Sequence, residues 1–526
     1  MMFATITVAK KPMESSSPLS AAGLAARAQF WFAASAWLLF ALLAGVLTLR
    51  HVLWFDEVQA WLIVRDSPTL AALFHNLHYE GHPALWYLLL YPLPRLTTNP
   101  AAMQALNYLL ALIFAALILT APRLRPLPAV LIVFSSILFN EYSTYARSYL
   151  LAALLLIAAL RLLLAARPRP LLAFLCLGLA INTHFLTVPI ALVLAAWFVG
   201  SGYGSSERRW FERLTSRTTL LAAAILAVSL LACYLTVRPA ADILPLNVNQ
   251  PSALGHFFFV EGRVWRIFFR IPIAHLPLHL IDRLDPKSAP SALASVLSAL
   301  TLLLTLAALR TRAARIFFAA AFVASLAVLA AVTLTPEIRH YGFLWVAFIA
   351  AVLIDASQAD AAPAAAVHSA SARVARVALT LILVQQCLLS FSVSAKEWKH
   401  PISGSLQTAR WIRAQGLDAN PMLMEPYDGP NALLGYLNKP RAWFPACHCF
   451  GSFARRAVGI DLARPATPVD LAAARAGSAL PVVLVANFPL DPTTQQTLGV
   501  EFLFASSPAA LKPNDNFFVY RERSQP

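Results

Sequence analysis

Long apolar segments alternate with short arginine-bearing segments along most of this chain. The first, residues 28–49, has 22 uncharged residues, which is enough to cross a bilayer as a helix and longer than the apolar core of a signal peptide. The pattern predicts about eleven spans, at residues 30–50, 103–122, 126–140, 147–166, 170–183, 185–200, 218–237, 290–309, 316–335, 340–354 and 377–394. We therefore expect a mainly α-helical, polytopic membrane protein.

Two segments are ambiguous, and the bias of arginine and lysine toward cytoplasmic loops decides both. Residues 81–94 are apolar but short and contain three prolines, so we expect a surface helix within a first outer loop, residues 51–102. Residues 170–206 lack Asp, Glu, Lys and Arg and are expected to form a hairpin of two spans. With a cytoplasmic N-terminus, the short arginine clusters then all face the cytoplasm: residues 123–125, 161–169, 208–217, 310–315 and 373–376.

The composition agrees with a membrane protein. Hydrophobic residues make up 59% of the chain and charged residues 13%, whereas typical soluble domains carry about 25% charged residues. The net charge of +16 reflects arginine clusters between spans and does not call for nucleic acid as a partner. We expect a disordered cytoplasmic N-terminus at residues 1–29 and a transmembrane domain at residues 30–394.

The composition changes after the last predicted span. Residues 395–526 contain strand-like runs at 482–485 and 517–520, and they predict a small α/β domain on the extracytoplasmic side. Cys447 and Cys449 lie in this domain and are too close for an easy disulfide. A metal site would need more ligands than His448 alone, so we expect a structural role for both cysteines, with metal binding as an alternative.

The segment 54–87 follows the first span and places two acids at the membrane surface. Asp56 and Glu57 come directly after Trp54 and Phe55, aromatic residues of the kind that anchor at a membrane–water boundary. A polar and aromatic cluster that includes His82 follows. An active site at the bilayer surface would need such a segment; the alternative is a pair of solvated acids at a helix end.

Further polar residues gather at the predicted outer ends of spans, in mixed strings at residues 141–149, 182–185 and 337–341. The outer candidates are Asp56, Glu57, Arg65, His82, Glu141, Arg147, His184, Glu337, Arg339 and His340. Charged groups at membrane depth cost free energy and usually mark function, although each of these could instead snorkel from a helix end. The inner side has only simple arginine clusters, which favours a functional cluster outside.

The order of these features resembles the polyprenyl-phosphate-sugar glycosyltransferases of the GT-C superfold, which include the protein O-mannosyltransferases and the bacterial transferases that put aminoarabinose on lipid A. The resemblance covers about residues 30–355. It is carried by Phe55-Asp56-Glu57, Gly81-His82-Pro83, the string from Glu141 to Tyr149, Thr183-His184 and Arg339-His340-Tyr341. Ala84 stands where many relatives have a second proline, which weakens the link to the protein mannosyltransferases in particular.

The resemblance implies an inverting transfer of a sugar from a polyprenyl-phosphate donor to an acceptor on the extracytoplasmic side. It makes Asp56 the general base, whereas Glu57, turned by about 100° on the same helix, is expected to be supporting or structural. The implied substrate-binding residues are His82, Glu141, Tyr145, Arg147, His184, Arg339 and Tyr341. Arg147 and Arg339 suit the donor phosphate or, alternatively, pair with Glu141 and Glu337. If the acceptor is itself a phosphate, Asp56 positions it or acts electrostatically.

The expected partners are membrane lipid, the polyprenyl-phosphate-linked sugar and an acceptor that is a lipid, a glycan or a protein. No cofactor is expected and no metal site is convincing, although a divalent metal stays an open alternative. We expect a multi-pass protein of a bacterial inner membrane. A transporter or flippase for a lipid-linked anion is the second hypothesis, but transporters place polar groups near the bilayer midplane, often within repeats. A non-catalytic scaffold would leave the gathered acids and arginines unexplained.

Overall fold

The structure is a computed structural model, and it describes residues 21–201, 212, 214–243, 252–269, 291–332, 336–359, 369–507, 512 and 515–523. Six helices are long and apolar enough to cross a membrane: Arg27–Arg50, Ala101–Leu119, Arg217–Val237, Arg312–Val332, Ile338–Gln358 and Ala370–Lys399. Four shorter apolar helices are Ser148–Leu163, Pro170–Thr183, Phe185–Gly200 and Ala292–Ala308. The chain is a mainly helical membrane protein, but the predicted number of eleven spans is not confirmed.

The membrane domain is a bundle around one buried helix. Its helices, numbered in chain order, are α1 (Ala21–Arg50), α2 (Phe55–Arg65), α3 (Leu70–Leu77), α4 (Leu85–Leu90), α5 (Leu93–Leu96), α6 (Ala101–Leu119), α7 (Pro126–Val133), α8 (Ser148–Leu163), α9 (Pro170–Thr183), α10 (Val188–Ser201), α11 (Arg217–Val237), α12 (Ala253–Glu261), α13 (Trp265–Phe268), α14 (Ala292–Ala308), α15 (Arg312–Val332), α16 (Ile338–Ala359) and α17 (Ala370–Lys399). Every residue of α16 from Phe343 to Ile354 is buried, and α16 packs against α8 and α15. Its N-terminal end is therefore held firmly within the bundle.

The first helix begins earlier than expected. Helix α1 starts at Ala21, so the segment 1–29 is helical from residue 21 onward instead of disordered. This part is rich in alanine, the strongest helix former. Residues 1–20 lie outside the described residues, as do Arg208, Arg209 and Arg213 of the predicted inner cluster at 208–217.

The third predicted span, residues 126–140, is not a continuous helix. Helix α7 ends at Val133, and a π-helical turn follows at Ile137–Tyr142. Two hydroxyls favour this wider turn, because Ser143 Oγ donates to the Leu138 carbonyl (2.7 Å) and Thr144 Oγ1 to the Phe139 carbonyl (3.1 Å). The irregular backbone is buried in protein, which is where non-helical backbone is tolerated at membrane depth.

The expected first outer loop consists of short helices. Helix α2 has 11 residues and α3 has eight, while the apolar segment 81–94 forms α4 and the start of α5, with six and four residues. None of these four helices reaches the roughly 20 residues that a span needs. Pro83 precedes Ala84, the N-cap residue of α4, and Pro92 is the N-cap residue of α5. A missing N–H costs least at the start of a helix.

The C-terminal part forms a mixed α/β domain, as the two strand-like runs predicted. Its strands are β1 (Met422–Glu425), β2 (Ala442–Phe444), β3 (Cys449–Gly451), β4 (Val483–Ala486), β5 (Val500–Ala505) and β6 (Phe518–Glu522), and its helices are α18 (Ser405–Ala414), α19 (Asn431–Leu437), α20 (Pro468–Arg475) and α21 (Pro492–Leu498). The sheet order is β3-β2-β1-β4-β6-β5. Strand β1 pairs in parallel with β2 and β4, and the outer pairs are antiparallel.

This domain is fixed along the length of α2. Helix α19 packs on α2 so closely that a Cβ added at Gly435 would lie 2.4 Å from Val58 Cγ1. The Gln59 amide exchanges two hydrogen bonds with the main chain of Ala454 (2.8 and 3.0 Å). At the far end of α2, Arg65 donates to the Lys439 carbonyl (2.8 Å). The helix that carries Asp56 is therefore shared between the two parts of the protein.

Cys447 and Cys449 form a disulfide, contrary to the expectation that one intervening residue makes such a bond difficult. The two Cα atoms are 5.2 Å apart, within the usual range for a disulfide. The turn between β2 and β3 achieves this because His448 adopts a left-handed conformation with φ of 50°. The pair is therefore a covalent link in the hairpin, and its sulfurs are not metal ligands.

Candidate functional site

The two acids that open α2 face different surroundings. Both lie in the first helical turn, where the helix dipole favours negative charge. The Glu57 side chain has no exposed surface, whereas 24% of the Asp56 side chain is exposed. Adjacent helical positions point about 100° apart, so only Asp56 can meet a substrate from outside.

Glu57 belongs to a buried ionic network that joins α1, α2 and α17. Its carboxylate accepts hydrogen bonds from His51 Nε2 (2.7 Å) and from the Ala146 main-chain N–H (2.6 Å). His51 Nδ1 lies 2.5 Å from Glu397 Oε1. Although burial lowers the pKa of His51, the carboxylates of Glu57 and Glu397 outweigh it and raise that pKa to about 10. Glu57 thus holds the site together, which corresponds to the structural alternative for its role.

The charged His51 makes the stability of the fold depend on pH. Because its pKa is raised from about 6.5 to about 10, its stabilising contribution is complete below about pH 6.5 and is lost as the pH rises through 10. We expect the thermal unfolding midpoint in detergent to fall between neutral pH and about pH 10. The variant His51→Gln should show a smaller fall over the same range. Equal pH dependence in both proteins would contradict a charged His51.

Asp56 lies between two arginines from distant parts of the chain. Arg339 Nη2 pairs with Asp56 Oδ2, and Arg147 Nη1 donates to the Asp56 main-chain carbonyl. Burial raises the pKa of Asp56, but Arg339 and Arg147 more than offset it and hold that pKa below its ordinary value. Asp56 is therefore a carboxylate at neutral pH. The carboxylate partner of Arg339 is Asp56 and not Glu337.

Arg147 is positioned by an amide buried in a membrane helix. It is the residue before α8 and directly follows the turn after the π-helical segment. Asn107 of α6 is buried, and its Nδ2 donates to the carbonyls of Tyr142, Ser143 and Tyr145 at 3.0–3.2 Å. One amide therefore satisfies three carbonyls of the turn and fixes the direction in which Arg147 leaves it. The polarity of Asn107 within an apolar span was the available sequence signal.

The N-terminal end of the buried helix α16 determines the position of Arg339. It is the second residue of α16, and its main-chain carbonyl accepts a hydrogen bond from Tyr142 Oη (3.0 Å). Tyr142 crosses α16 at Gly342, where an added Cβ would lie 2.5 Å from Tyr142 Oη. The Arg339 guanidinium also lies 5.1 Å from the ring centroid of Trp54. Packing from two neighbouring elements thus fixes a buried cation beside Asp56.

Two histidines meet beside this ion pair, with ring centroids 5.5 Å apart. His82 Nδ1 is 3.1 Å from the Glu80 carbonyl, so it carries the proton and leaves Nε2 as an acceptor. Burial and the nearby Arg147 lower the pKa of His82 to about 3. His184 has the opposite arrangement, because its Nδ1 accepts from the Leu186 N–H (3.3 Å). A neutral His184 therefore presents Nε2–H as a donor.

Several buried donors here have no partner among the described residues. They are His184 Nε2, Arg339 Nε and Trp54 Nε1. A buried donor without an acceptor costs about 1–3 kcal/mol, so such groups usually await water, an ion or a ligand. Arg339 pairs with Asp56, Trp54 lies beside Arg339, and His184 lies against His82. All three donors are suited to bind oxygen atoms that carry negative charge.

Glu80 is a further acid near the site. It stands in the polar and aromatic cluster that includes His82 and was not among the predicted site residues. Its carboxylate accepts hydrogen bonds from Tyr87 Oη (3.1 Å) and Gln59 Nε2 (3.2 Å). Burial raises the pKa of Glu80, although Arg147 opposes this. Since Gln59 also bonds to Ala454, Glu80 links the site to the C-terminal domain.

The predicted substrate-binding residues Glu141, Tyr145 and Tyr341 lie in three different surroundings. Glu141 is buried in the π-helical turn and acts electrostatically on Tyr145 and Arg339. The ring of Tyr145 packs on His51 at 5.1 Å between centroids, so it lies at the buried network. Tyr341 Oη donates to the Val260 carbonyl (2.8 Å), which directs it toward α12. The prediction that Tyr341 binds substrate is therefore not supported by its position.

Within the described part of the chain, no three His, Cys, Asp or Glu side chains are grouped as ligands for a metal ion. Comparison of the chain with protein-family models, with curated proteins and with solved structures gave no match. The site consists of one ionised carboxylate, two buried guanidiniums and several donors that lack acceptors among the described residues, all near the ends of apolar helices.

Proposed function

We propose that this protein is a membrane glycosyltransferase that moves a sugar from a polyprenyl-phosphate donor to an acceptor by an inverting displacement. One observation carries this function. The Asp56 carboxylate keeps an exposed face beside Arg339 and Arg147, and the buried donors around it lack acceptors. Guanidiniums bind phosphate oxygens bidentately, and a carboxylate can take a proton from an attacking hydroxyl.

The donor phosphate would occupy the space between the arginines and the unpartnered donors. Arg339 has one buried Nε–H available, and His184 offers Nε2–H without adding charge. These groups are already fixed by packing, so they would stabilise charge on the departing phosphate without reorganising. A polyprenyl phosphate is a good leaving group and needs no strong general acid.

Asp56 would act on the acceptor. As the acceptor oxygen forms a bond to the anomeric carbon, its proton passes to Asp56 and the bond from that carbon to the phosphate oxygen breaks. Polyprenyl phosphate leaves with the electron pair. Arg339 keeps the carboxylate ionised and orients it by pairing with Oδ2, and Oδ1 would take the proton. His82 Nε2 is free to accept a hydrogen bond from a sugar hydroxyl.

The same proposal includes a GT-C-like arrangement of the membrane domain and a site on the extracytoplasmic face of a bacterial inner membrane. Two observations support a site on the extracytoplasmic side. The arginine clusters favour it by the positive-inside rule, and disulfides such as Cys447–Cys449 persist mainly in oxidising compartments. The acceptor remains a lipid, a glycan or a protein.

The function is tested by incubating membranes that contain the protein with a panel of labelled polyprenyl-phosphate sugars. We expect release of polyprenyl phosphate together with transfer of the label. Failure to consume any donor across a broad panel would contradict the proposal. Movement of the intact donor between leaflets without cleavage would instead support a transporter or flippase for a lipid-linked anion.

Arg339→Gln should lower kcat/KM for the donor by about ten- to a hundredfold. The variant removes a charge-assisted contact, which is worth about 1.5–3 kcal/mol, and it leaves Asp56 without its ion-pair partner. Steady-state transfer at varied donor concentration measures the effect. Arg373→Gln is the matched control, because Arg373 is exposed near the start of α17. Equal activity of the two variants would contradict a role for Arg339.

A further inference from the structure

Lys512 brings a third cation from the C-terminal domain to the candidate site. Its ammonium lies 4.5 Å from the ring centroid of Trp54, the residue that precedes α2. The guanidinium of Arg339 lies near the same ring. Lys512 also acts electrostatically on Asp56. Two cations from opposite parts of the protein therefore meet at one tryptophan beside the proposed base.

The main chain holds Lys512 in this position. Its N–H donates to the Ile402 carbonyl (3.2 Å), and its own carbonyl accepts from the Asp515 N–H (2.9 Å). Asp515 is buried, its Oδ1 accepts from Ser403 Oγ (3.1 Å), and its carboxylate interacts with the main-chain N–H of Phe55. Asp515 thus ties the residues around Lys512 to the first turn of α2.

The ammonium of Lys512 has only a loose carboxylate partner among the described residues. Glu337 Oε2 is 3.9 Å away, and 52% of the Glu337 side chain is exposed, so this pair is a weak surface contact. An ammonium carries three donors, and 30% of the Lys512 side chain is exposed. The cation is therefore positioned by its neighbours but keeps donors available for a ligand.

We propose that Lys512 binds the phosphate group of the lipid-linked substrate, so that the C-terminal domain completes the anion site of the membrane domain. The inference rests on the transferase function proposed above and identifies an additional ligand for the leaving group. The donor phosphate is a diester with one negative charge, whereas the released polyprenyl phosphate is a monoester that approaches two. A third cation therefore stabilises the departing phosphate more than the bound donor.

The test compares full-length wild type with Lys512→Gln, Lys512→Arg and the control Lys399→Gln, in which an exposed lysine at the end of α17 is changed. Two quantities are measured for each protein: equilibrium binding of polyprenyl phosphate, and its inhibition constant against the donor in the transfer assay. We expect Lys512→Gln to weaken the binding of polyprenyl phosphate by about tenfold or more, which is the effect of losing a charge-assisted hydrogen bond. The KM for the donor should change less. Lys512→Arg should stay within a few-fold of wild type, and Lys399→Gln should be unchanged.

Several outcomes would overturn the inference. The first is equal binding of polyprenyl phosphate by Lys512→Gln and wild type. The second is an equal loss of binding affinity in Lys512→Arg and Lys512→Gln. The third is competition by inorganic phosphate that is as strong as competition by polyprenyl phosphate. If wild type transfers sugar and Lys512→Gln does so equally well, the transferase function stands and only the role of Lys512 falls. If wild type transfers nothing from any donor, the transferase function itself falls, while the binding measurement still decides whether Lys512 contacts a lipid-linked phosphate.

Discussion

Replacing Asp56 by Asn should lower sugar transfer by about 10²–10⁴-fold, the usual contribution of a general base. The change preserves size and removes the negative charge that accepts the proton. Because Arg339 holds the pKa of Asp56 below its ordinary value, wild type should keep its base ionised throughout the neutral range. Initial rates of label transfer in membranes measure the effect.

The matched control for this variant is Asp428→Asn. Asp428 lies in the C-terminal domain and pairs with Arg456 at the surface, so its loss should leave transfer near the wild-type rate. Both variants must elute as folded protein after extraction in detergent. Near-full activity of folded Asp56→Asn would contradict the base assignment and would favour an acceptor that is itself a phosphate.

Replacing Glu57 by Ala should destabilise the fold instead of the chemistry. Its fully buried carboxylate faces His51, the Ala146 N–H and the Trp54 N–H, and removing one partner of a buried ion pair typically costs about 3–5 kcal/mol. We expect a clearly lower thermal unfolding midpoint and a lower yield of folded protein.

Glu501→Ala provides the comparison, because Glu501 forms a half-exposed pair with Arg521 on the sheet, and such pairs contribute about 0–1 kcal/mol. Replacing Asp56 should lower activity, whereas replacing Glu57 should lower stability. This contrast distinguishes the roles of the two adjacent acids. A Glu57→Ala protein with the wild-type unfolding midpoint but little transfer activity would reverse the assignment and make Glu57 a participant in the reaction.

The sequence predicted the parts of the site that depend on position along a span. Asp56, Arg147 and Arg339 each stand at the end of an apolar segment, and the structure brings all three together. The divergence of Asp56 from Glu57 also followed from helix geometry alone. Periodicity and the cost of burying charge are local properties, so they are readable without a structure.

The residues that the sequence did not single out act through distant partners. His51 is sandwiched between Glu57 and Glu397, and Lys512 reaches Trp54 from the C-terminal domain. No local pattern marks the pairs with Glu397 and Lys512, because Glu397 lies on α17, 346 residues after His51, and Lys512 reaches Trp54 only when the C-terminal domain docks on α2. The disulfide of Cys447 was missed for a different, local reason: it depends on the left-handed conformation of His448, which the spacing of the cysteines does not reveal.

The number of spans was also not readable from the sequence. Apolar length predicted a mainly helical membrane protein, but the count of eleven spans is not confirmed, and residues 126–140 were treated as one helix. Helix α7 ends at Val133, and the backbone then widens into the π-helical turn that carries Glu141. Hydrogen bonds from side-chain hydroxyls and the burial of the turn determine this backbone geometry. A hydropathy pattern contains neither kind of information.

The proposed catalytic centre draws on both ends of the chain, since Trp54 and Asp56 lie near its beginning and Lys512 near its end. During synthesis, Asp56 is translated long before Lys512. Until the C-terminal domain docks on α2, the proposed anion pocket would contain Arg147 and Arg339 but not the third cation. Docking of that domain would therefore be the folding step that completes the pocket.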